Sequence, residues 1–363
     1  MNSAALDAVL AVVITALAWL TPSLTNTTLP FGVRVPAERA DAAVIGEQRA
    51  RYRWLVAVGG LGLTTVWTAL AATIGFPFPG VLPLLVLAMC LAAFVRARTA
   101  IVSAKRDEDW YRGLRQGVVT DTSLRTEPGR FPWLWSIPAL LIVVGTAVTG
   151  VVVYPSLPGR LPVHFDAAGH ADRYATKSVG SVFGPVFAQL GVTALLLVVS
   201  WLAFRARPEL DPARPVDSAR RHRRFSVRAV VSVLLLAACA NLSMLVAAWS
   251  MWHAGSLSPV LVLLPLLIGL AVVVGIALRT GQAGSRLPEA PDAEREPDTG
   301  MVQRDDDRYW HAAGSVYVNR ADPSLMVQKR SGFGWTFNFG NPRALLVFLL
   351  IIGVPLLLPL IVH

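Results

Sequence analysis

The chain has 363 residues, 54% of them hydrophobic and only 15% charged, with a mean hydropathy of +0.53. That balance excludes an ordinary soluble domain, in which about a quarter of the residues are charged. The two cysteines exclude a disulfide framework or a thiolate zinc site, and a net charge of +10 raises a nucleic-acid partner that the placement of the cations then argues against.

Apolar runs near the length needed to cross about 30 Å of hydrocarbon recur at 4–24, 54–74, 79–95, 134–154, 181–203, 229–250, 259–278 and 344–362. They predict an all-α polytopic membrane protein of about eight transmembrane helices. Thirty of the 33 Lys and Arg residues fall in the connections after the first, third, fifth and seventh runs. Under the positive-inside rule those four connections are cytoplasmic and both termini lie outside. The basic charge is then a topology signal, and no direct nucleic-acid contact is expected.

No basic residue precedes the first run, which fits an uncleaved, N-out helix better than a signal peptide. Residues 1–133 thus form an N-terminal three-helix membrane region with cytoplasmic loops. Its first connection ends in a charged helical stretch leading into Trp54, and "GFPFPG" turns the second helix into the third. The next connection carries Trp110 and Tyr111, expected at headgroup level. Residues 134–204 form a helix-loop-helix unit with an extracytoplasmic loop at 155–180. Residues 205–279 hold a cytoplasmic loop and two helices. In that loop three prolines precede Arg220, Arg221, Arg223 and Arg224, a cluster that binds anionic lipid heads or simply fixes topology.

The acid- and proline-rich stretch 280–304 reads as a disordered linker. A small cytoplasmic β-meander follows at 305–342, before the last transmembrane helix in 343–363. Its strands are "SVYVN", "LMVQK" and "WTFNFG", the last with Trp335, Phe337 and Phe339 on one face that needs a second surface. Within the runs no ionisable residue lies near mid-depth. Gln189 and Asn241 are polar there and are expected to hydrogen-bond between helices. This disfavours an ion-coupled transporter.

The segment "LPVHFDAAGHADRYATKS", residues 161–178, is the polar exception. Tyr154-Pro155 ends the preceding helix, Pro158 and Pro162 keep the chain extended, "DAAGHAD" reverses it with Gly169 at positive φ, and Ser178 is placed to cap the next helix. His164, Asp166, His170 and Asp172 are donors that zinc or manganese would accept, but their spacing matches no ligand signature. No nucleophile, HExxH or phosphate-loop motif supports catalysis. Neither a metal nor another cofactor is expected, which leaves a recognition loop or one that only packs over the helix ends.

"LPGRLPVHFDAAGHADRYATKS" resembles the signature loop of a bacterial membrane-protein family that includes SdpI. Leu161, Pro162, His164, Phe165, Gly169, Asp172 and Lys177 match its pattern, while His170 and Tyr174 depart from it. "LPFGVRVP" and "YVNRADPSLMVQKRSGFGWTFNFGNP" are similar to segments of uncharacterised membrane proteins that carry the same loop, the second as a separate C-terminal domain. The resemblance implies a multi-pass protein of the bacterial inner membrane that gives immunity to an exported toxic peptide and signals by sequestering a cytoplasmic repressor. On this reading the chain is a receptor, not an enzyme. His164, Phe165, Asp166, Gly169, Asp172 and Lys177 contact an extracytoplasmic peptide or envelope ligand. Arg220, Arg221, Arg223, Arg224, Trp335, Phe337 and Phe339 meet membrane lipids or a cytoplasmic transcriptional regulator. The alternatives are a transport-related permease or accessory subunit and, behind it, a metal-assisted hydrolase.

Overall fold

A computed structural model describes residues 3–75, 78, 80–119, 124, 129–166, 168–288 and 296–361, with side chains as far as 353. Its helices are α1 (Ser3–Leu24), α2 (Ala43–Ile74), α3 (Val81–Asp107), α4 (Ile137–Val153), α5 (Val179–Phe204), α6 (Pro215–Trp252), α7 (Pro259–Thr280) and α8 (Pro342–Ile361). Single 3₁₀ turns lengthen α4 to Trp133–Ser156. With that extension, α1 to α7 are each long and apolar enough to cross a membrane; the described stretch of α8, Pro342–Gly353, is apolar but shorter. Side chains such as Leu134 and Val152 are 77% and 72% exposed. So large an apolar exterior has no place in water and is what lipid requires. The protein is a mostly helical, multi-pass membrane protein with a few small β-sheets.

Three helices outrun their apolar runs, α3 by continuing from 95 to Asp107. In α2 the charged stretch before Trp54 is helical, as its sequence suggests. In α6 the Arg-rich stretch from Pro215, read from its prolines as loop, is helix. Proline is tolerated at a first helical position, where its missing N–H would be unpaired anyway. The Glu296 carboxylate accepts the next two N–H groups, Val216 and Asp217, at 3.0–3.2 Å.

The chain forms two compact units. The first holds residues 1–6, 131–204 and 229–276, hence the start of α1, all of α4 and α5, and the apolar parts of α6 and α7. Gln189 and Asn241, both fully buried, tie its helices together. Gln189 Nε2 donates to Thr146 Oγ1 (3.0 Å) and to the Asn241 carbonyl (2.9 Å), and Asn241 Nδ2 donates to the Ala139 carbonyl (3.1 Å) and Thr193 Oγ1 (2.9 Å). Both amides are held in orientation by these contacts, as interhelical glue worth about 1 kcal/mol per bond.

The second unit holds residues 7–130, 205–228 and 277–363. Helices α1 and α2 approach closely because Gly60 has no side chain: a Cβ there would lie 2.4 Å from Thr15 Oγ1. Buried Asp7 accepts the Gly80 N–H at 2.9–3.0 Å, capping α3 where "GFPFPG" turns. Phe31 of "LPFGVRVP" packs edge-on against Tyr52 of α2 and Phe94 of α3, with ring centroids 5.2 and 5.3 Å away. Trp110, expected at the headgroups, belongs to this buried cluster instead, its Nε1 donating to Glu108 at 2.8 Å.

The small strands are β1 (Arg115–Gly117), β2 (Arg160–Phe165), β3 (Ala171–Thr176), β4 (Met301–Gln303), β5 (Trp310–His311), β6 (Val316–Tyr317), β7 (Met326–Gln328) and β8 (Trp335–Phe337). The three strands read from 315–340 exist as β6, β7 and β8, but not as a meander. β7 and β8 pair antiparallel, whereas β6 pairs with β5 and meets the end of β8 through a parallel bridge, Tyr317 to Asn338. Fully buried Asn338 explains the arrangement: its side chain accepts the N–H groups of Asn319 and Gly340 and donates to the carbonyls of Asn319 and Asp322, all at 2.9–3.0 Å. Residues 280–304, expected as a linker, are built in at both described ends. Gln282 bonds to Lys329 and Gly334, and β4 pairs with β1.

Candidate functional site

The polar segment after α4 is a β-hairpin. β2 and β3 pair antiparallel from Arg160 opposite Thr176 to Phe165 opposite Ala171, with register shifts on either side of His164. At its base, Leu161 is fully buried among Val182, Ala248, Met251 and Trp252, and Phe165 packs against the same cluster. At its tip Gly169 adopts φ +89°, and a Cβ there would lie 1.8 Å from the Leu257 carbonyl oxygen. Only glycine fits, and it lets the Leu257 N–H reach the Gly169 carbonyl at 2.9 Å. The tip is thus stitched to the connection between α6 and α7. As the sequence suggests, Ser178 caps α5, accepting the Ser181 N–H at 3.1 Å.

Two more of the expected contact residues build the hairpin. Asp166 Oδ1 accepts the N–H groups of His170 (2.8 Å) and Ala168 (2.9 Å), closing the turn. The His170 backbone N–H above all holds this exposed carboxyl below its ordinary range. Lys177 donates to the Leu157 carbonyl at 3.1 Å and lies over the Tyr154 ring, 4.8 Å from its centroid. Phe165 and Gly169 are partly and fully buried in the anchor.

The hairpin's outward chemistry rests on different residues. His164 Nδ1 and Asp172 Oδ1 lie 2.5 Å apart across the strands, each side chain 48% exposed. Val163, Arg173 and Tyr174 stand exposed beside them, Tyr174 at 55%. A paired imidazole and carboxylate, an arginine, an aromatic and an aliphatic side chain on a fixed strand pair suit contact with a peptide or another polar-apolar surface. Sequence reasoning chose His164 and Asp172 but missed Val163, Arg173 and Tyr174. Strand alternation from Ala175 was the available signal for Tyr174; it puts Val163 and Arg173 on the faces of Leu161 and Ala175, and the register shifts on either side of His164 break that pattern. Among the described residues no group of three or more His, Cys, Asp or Glu side chains is placed to hold a metal.

The other candidates lie in the second unit. Arg220 and Arg224 are exposed, Arg223 is half-buried, and Arg221 pairs with Asp217 at 2.7 Å. Trp335 packs on Phe225 of α6, 5.2 Å between centroids, and Phe337 and Phe339 pack on Phe348 of α8 at 5.4 and 5.1 Å. The aromatic face therefore finds its second surface within its own chain.

An ionic centre in this unit escaped the sequence altogether. Arg330, with no exposed surface, pairs with Asp306 and Asp307 and donates to the Gly32 carbonyl. Arg34 of "LPFGVRVP" pairs with Glu209 and Asp306, and its N–H donates to Asp307 at 3.0 Å. Lys105 Nζ lies 2.7 Å from both Asp305 and Asp307. Burial alone would raise the two carboxyls. Arg34 and Arg330 at Asp306, and Arg330 and Lys105 at Asp307, overcome it and hold both below the ordinary range. One network thereby joins the four Arg-rich connections.

The class defined by these features is a multi-pass membrane protein with a structured hairpin between two spans and an ion-paired assembly of its charged connections. Comparison adds two matches. A family model described as a domain of unknown function, DUF1648, matches residues 141–188, which include the whole hairpin. A second, described as a family of unknown function, DUF5808, matches residues 320–345, which include β7, β8 and the start of α8. No curated protein and no solved structure matches.

Proposed function

We propose that the chain is a receptor or immunity-type protein of the bacterial inner membrane, with eight crossings and both termini outside, whose hairpin contacts an extracytoplasmic peptide or envelope ligand. The observation that carries this reading is the division of labour in the hairpin. Leu161, Phe165, Asp166, Gly169 and Lys177 fix it in place, while His164, Asp172, Val163, Arg173 and Tyr174 are exposed and, among the described residues, the His164 and Asp172 side chains pair with each other. A fixed strand pair presents contact groups at low entropic cost on binding. The loop's resemblance to the SdpI-containing family supports a toxic peptide as the ligand. Signalling would need a ligand that binds two conformations differently, with the ionic centre and its neighbours as the cytoplasmic face that a regulator meets.

The test is survival of a deletion strain complemented with wild type, His164→Ala or Tyr174→Ala and challenged with membrane-active peptides from neighbouring bacteria. Protection by wild type, reduced tenfold or more in the variants at equal membrane abundance, is the expected result. Gly169→Val serves as the folding control, since it must lower abundance by breaking the tip. Equal survival of all strains, deletion included, sinks immunity to those peptides.

A further inference from the structure

The arginine cluster of α6 divides into two faces. Ala219, His222, Phe225 and Ser226 are buried: His222 Nδ1 lies 2.8 Å from Gln328 Nε2, and Phe225 packs 5.2 Å from Phe333 and from Trp335. Opposite them Arg220, Arg224 and Arg228 are exposed. Their i, i+4, i+8 spacing stacks them along one side of the helix over about 12 Å. The sole carboxylate between 213 and 228, Asp217, is taken by Arg221. Among the described residues no acid pairs with the three exposed arginines. The apolar run of α6 begins at the next residue, Ala229, so the row ends where hydrocarbon starts and headgroups lie.

We infer that Arg220, Arg224 and Arg228 form a binding face for the phosphates of anionic lipids, in the leaflet from which α6 enters the bilayer. Guanidinium groups match phosphate oxygens in charge and geometry. A row on a helix held from behind loses little freedom on binding, and the apolar stem of each arginine can lie along the acyl boundary. Arg221 and Arg223, equally basic in sequence, are turned toward the protein and contribute little. This assignment stands apart from whatever the hairpin binds.

The full-length protein is placed in nanodiscs of mixed phosphatidylglycerol and phosphatidylcholine, and the enrichment of each lipid in its bound shell is read by native mass spectrometry after release. Each cation near an anionic surface contributes about a fivefold preference, so three give on the order of a hundredfold at low salt, declining as ionic strength rises. Arg220→Gln/Arg224→Gln/Arg228→Gln should remove most of the phosphatidylglycerol enrichment, and the corresponding triple lysine variant should keep it. Arg115→Gln/Arg304→Gln/Arg320→Gln, which removes as many exposed charges elsewhere, should leave it unchanged. Wild-type enrichment in the α6 glutamine variant overturns the proposal and gives the face to a protein partner. So does an equal loss in the control variant, which would make the preference a matter of net charge. Equal thermal unfolding midpoints in pure phosphatidylcholine establish that all variants are folded.

Discussion

Arg330 and the carboxylates of Asp306 and Asp307 show what a single residue decides in this molecule. A carboxyl whose folded pKa lies below its unfolded value binds fewer protons when folded. It therefore stabilises the fold fully above the unfolded value near 4, and that contribution is lost as pH falls through the lower folded value. Both aspartates are shifted in this direction. The second unit should lose stability as pH drops below about 4, with Arg34 and Arg330 then left buried without counter-charges. Arg330→Met should cost about 3–5 kcal/mol at neutral pH, because it strands two carboxylates among fewer cations, and should flatten the acid limb. Thermal unfolding of the detergent-solubilised protein from pH 3 to 7 checks both; an acid limb of equal steepness in the variant would refute the assignment. None of this was legible in sequence. The "DDD" at 305–307 stands at the start of the expected β-module, and its partners Arg34 and Lys105, with Glu209 as the second partner of Arg34, come from three other connections, with no local pattern to join them. Gly169 was legible, because a reversal between two extended stretches needs a residue free to take positive φ whatever it packs against.

Among the elements, α6 is where sequence and structure part most clearly. Three prolines in "RARPELDPARP" read as loop up to the apolar run, yet the helix starts at the last of them. The start is stabilised from outside the helix, by a glutamate eighty residues further on whose carboxylate takes two of the first free N–H groups and complements the positive helix end. Glu296→Ala should destabilise this terminus by about 1 kcal/mol. Amide exchange should then speed up several-fold across 216–219 while the apolar part of α6 stays protected; unchanged exchange would show that the cap contributes nothing. The strands at 316–337 were legible from their alternation, but their pairing was not, because the connection after β6 is closed by the side chain of Asn338 rather than by a hairpin turn. Seven of the eight apolar runs were legible as helices long and apolar enough to cross a membrane, since hydrocarbon admits only one kind of sequence.

For the whole molecule the argument turns on parity. The four Arg-rich connections meet in one ionic centre, and the proposed topology, which puts them on one side of the membrane, requires an even number of crossings between each and the next. The second unit alone defines two levels: α3 begins at the Asp7–Gly80 cap and ends 27 residues later beside Lys105 in the ionic centre. That is about 40 Å of helix, enough to cross the bilayer. On the proposed topology the charge count names the sides, with the four Arg-rich connections cytoplasmic and the segment between α4 and α5 outside. The two native cysteines, Cys90 and Cys239, lie in spans and are replaced by alanine for the test. Tyr174→Cys in that background should react with a membrane-impermeant maleimide on intact cells. Arg320→Cys, exposed beside β6, should react only after the membrane is opened. The reverse pattern would turn the protein over and put the hairpin in the cytoplasm, where no exported peptide could reach it. Labelling of both on intact cells would break the parity itself, and with it the shared side on which the ionic centre depends.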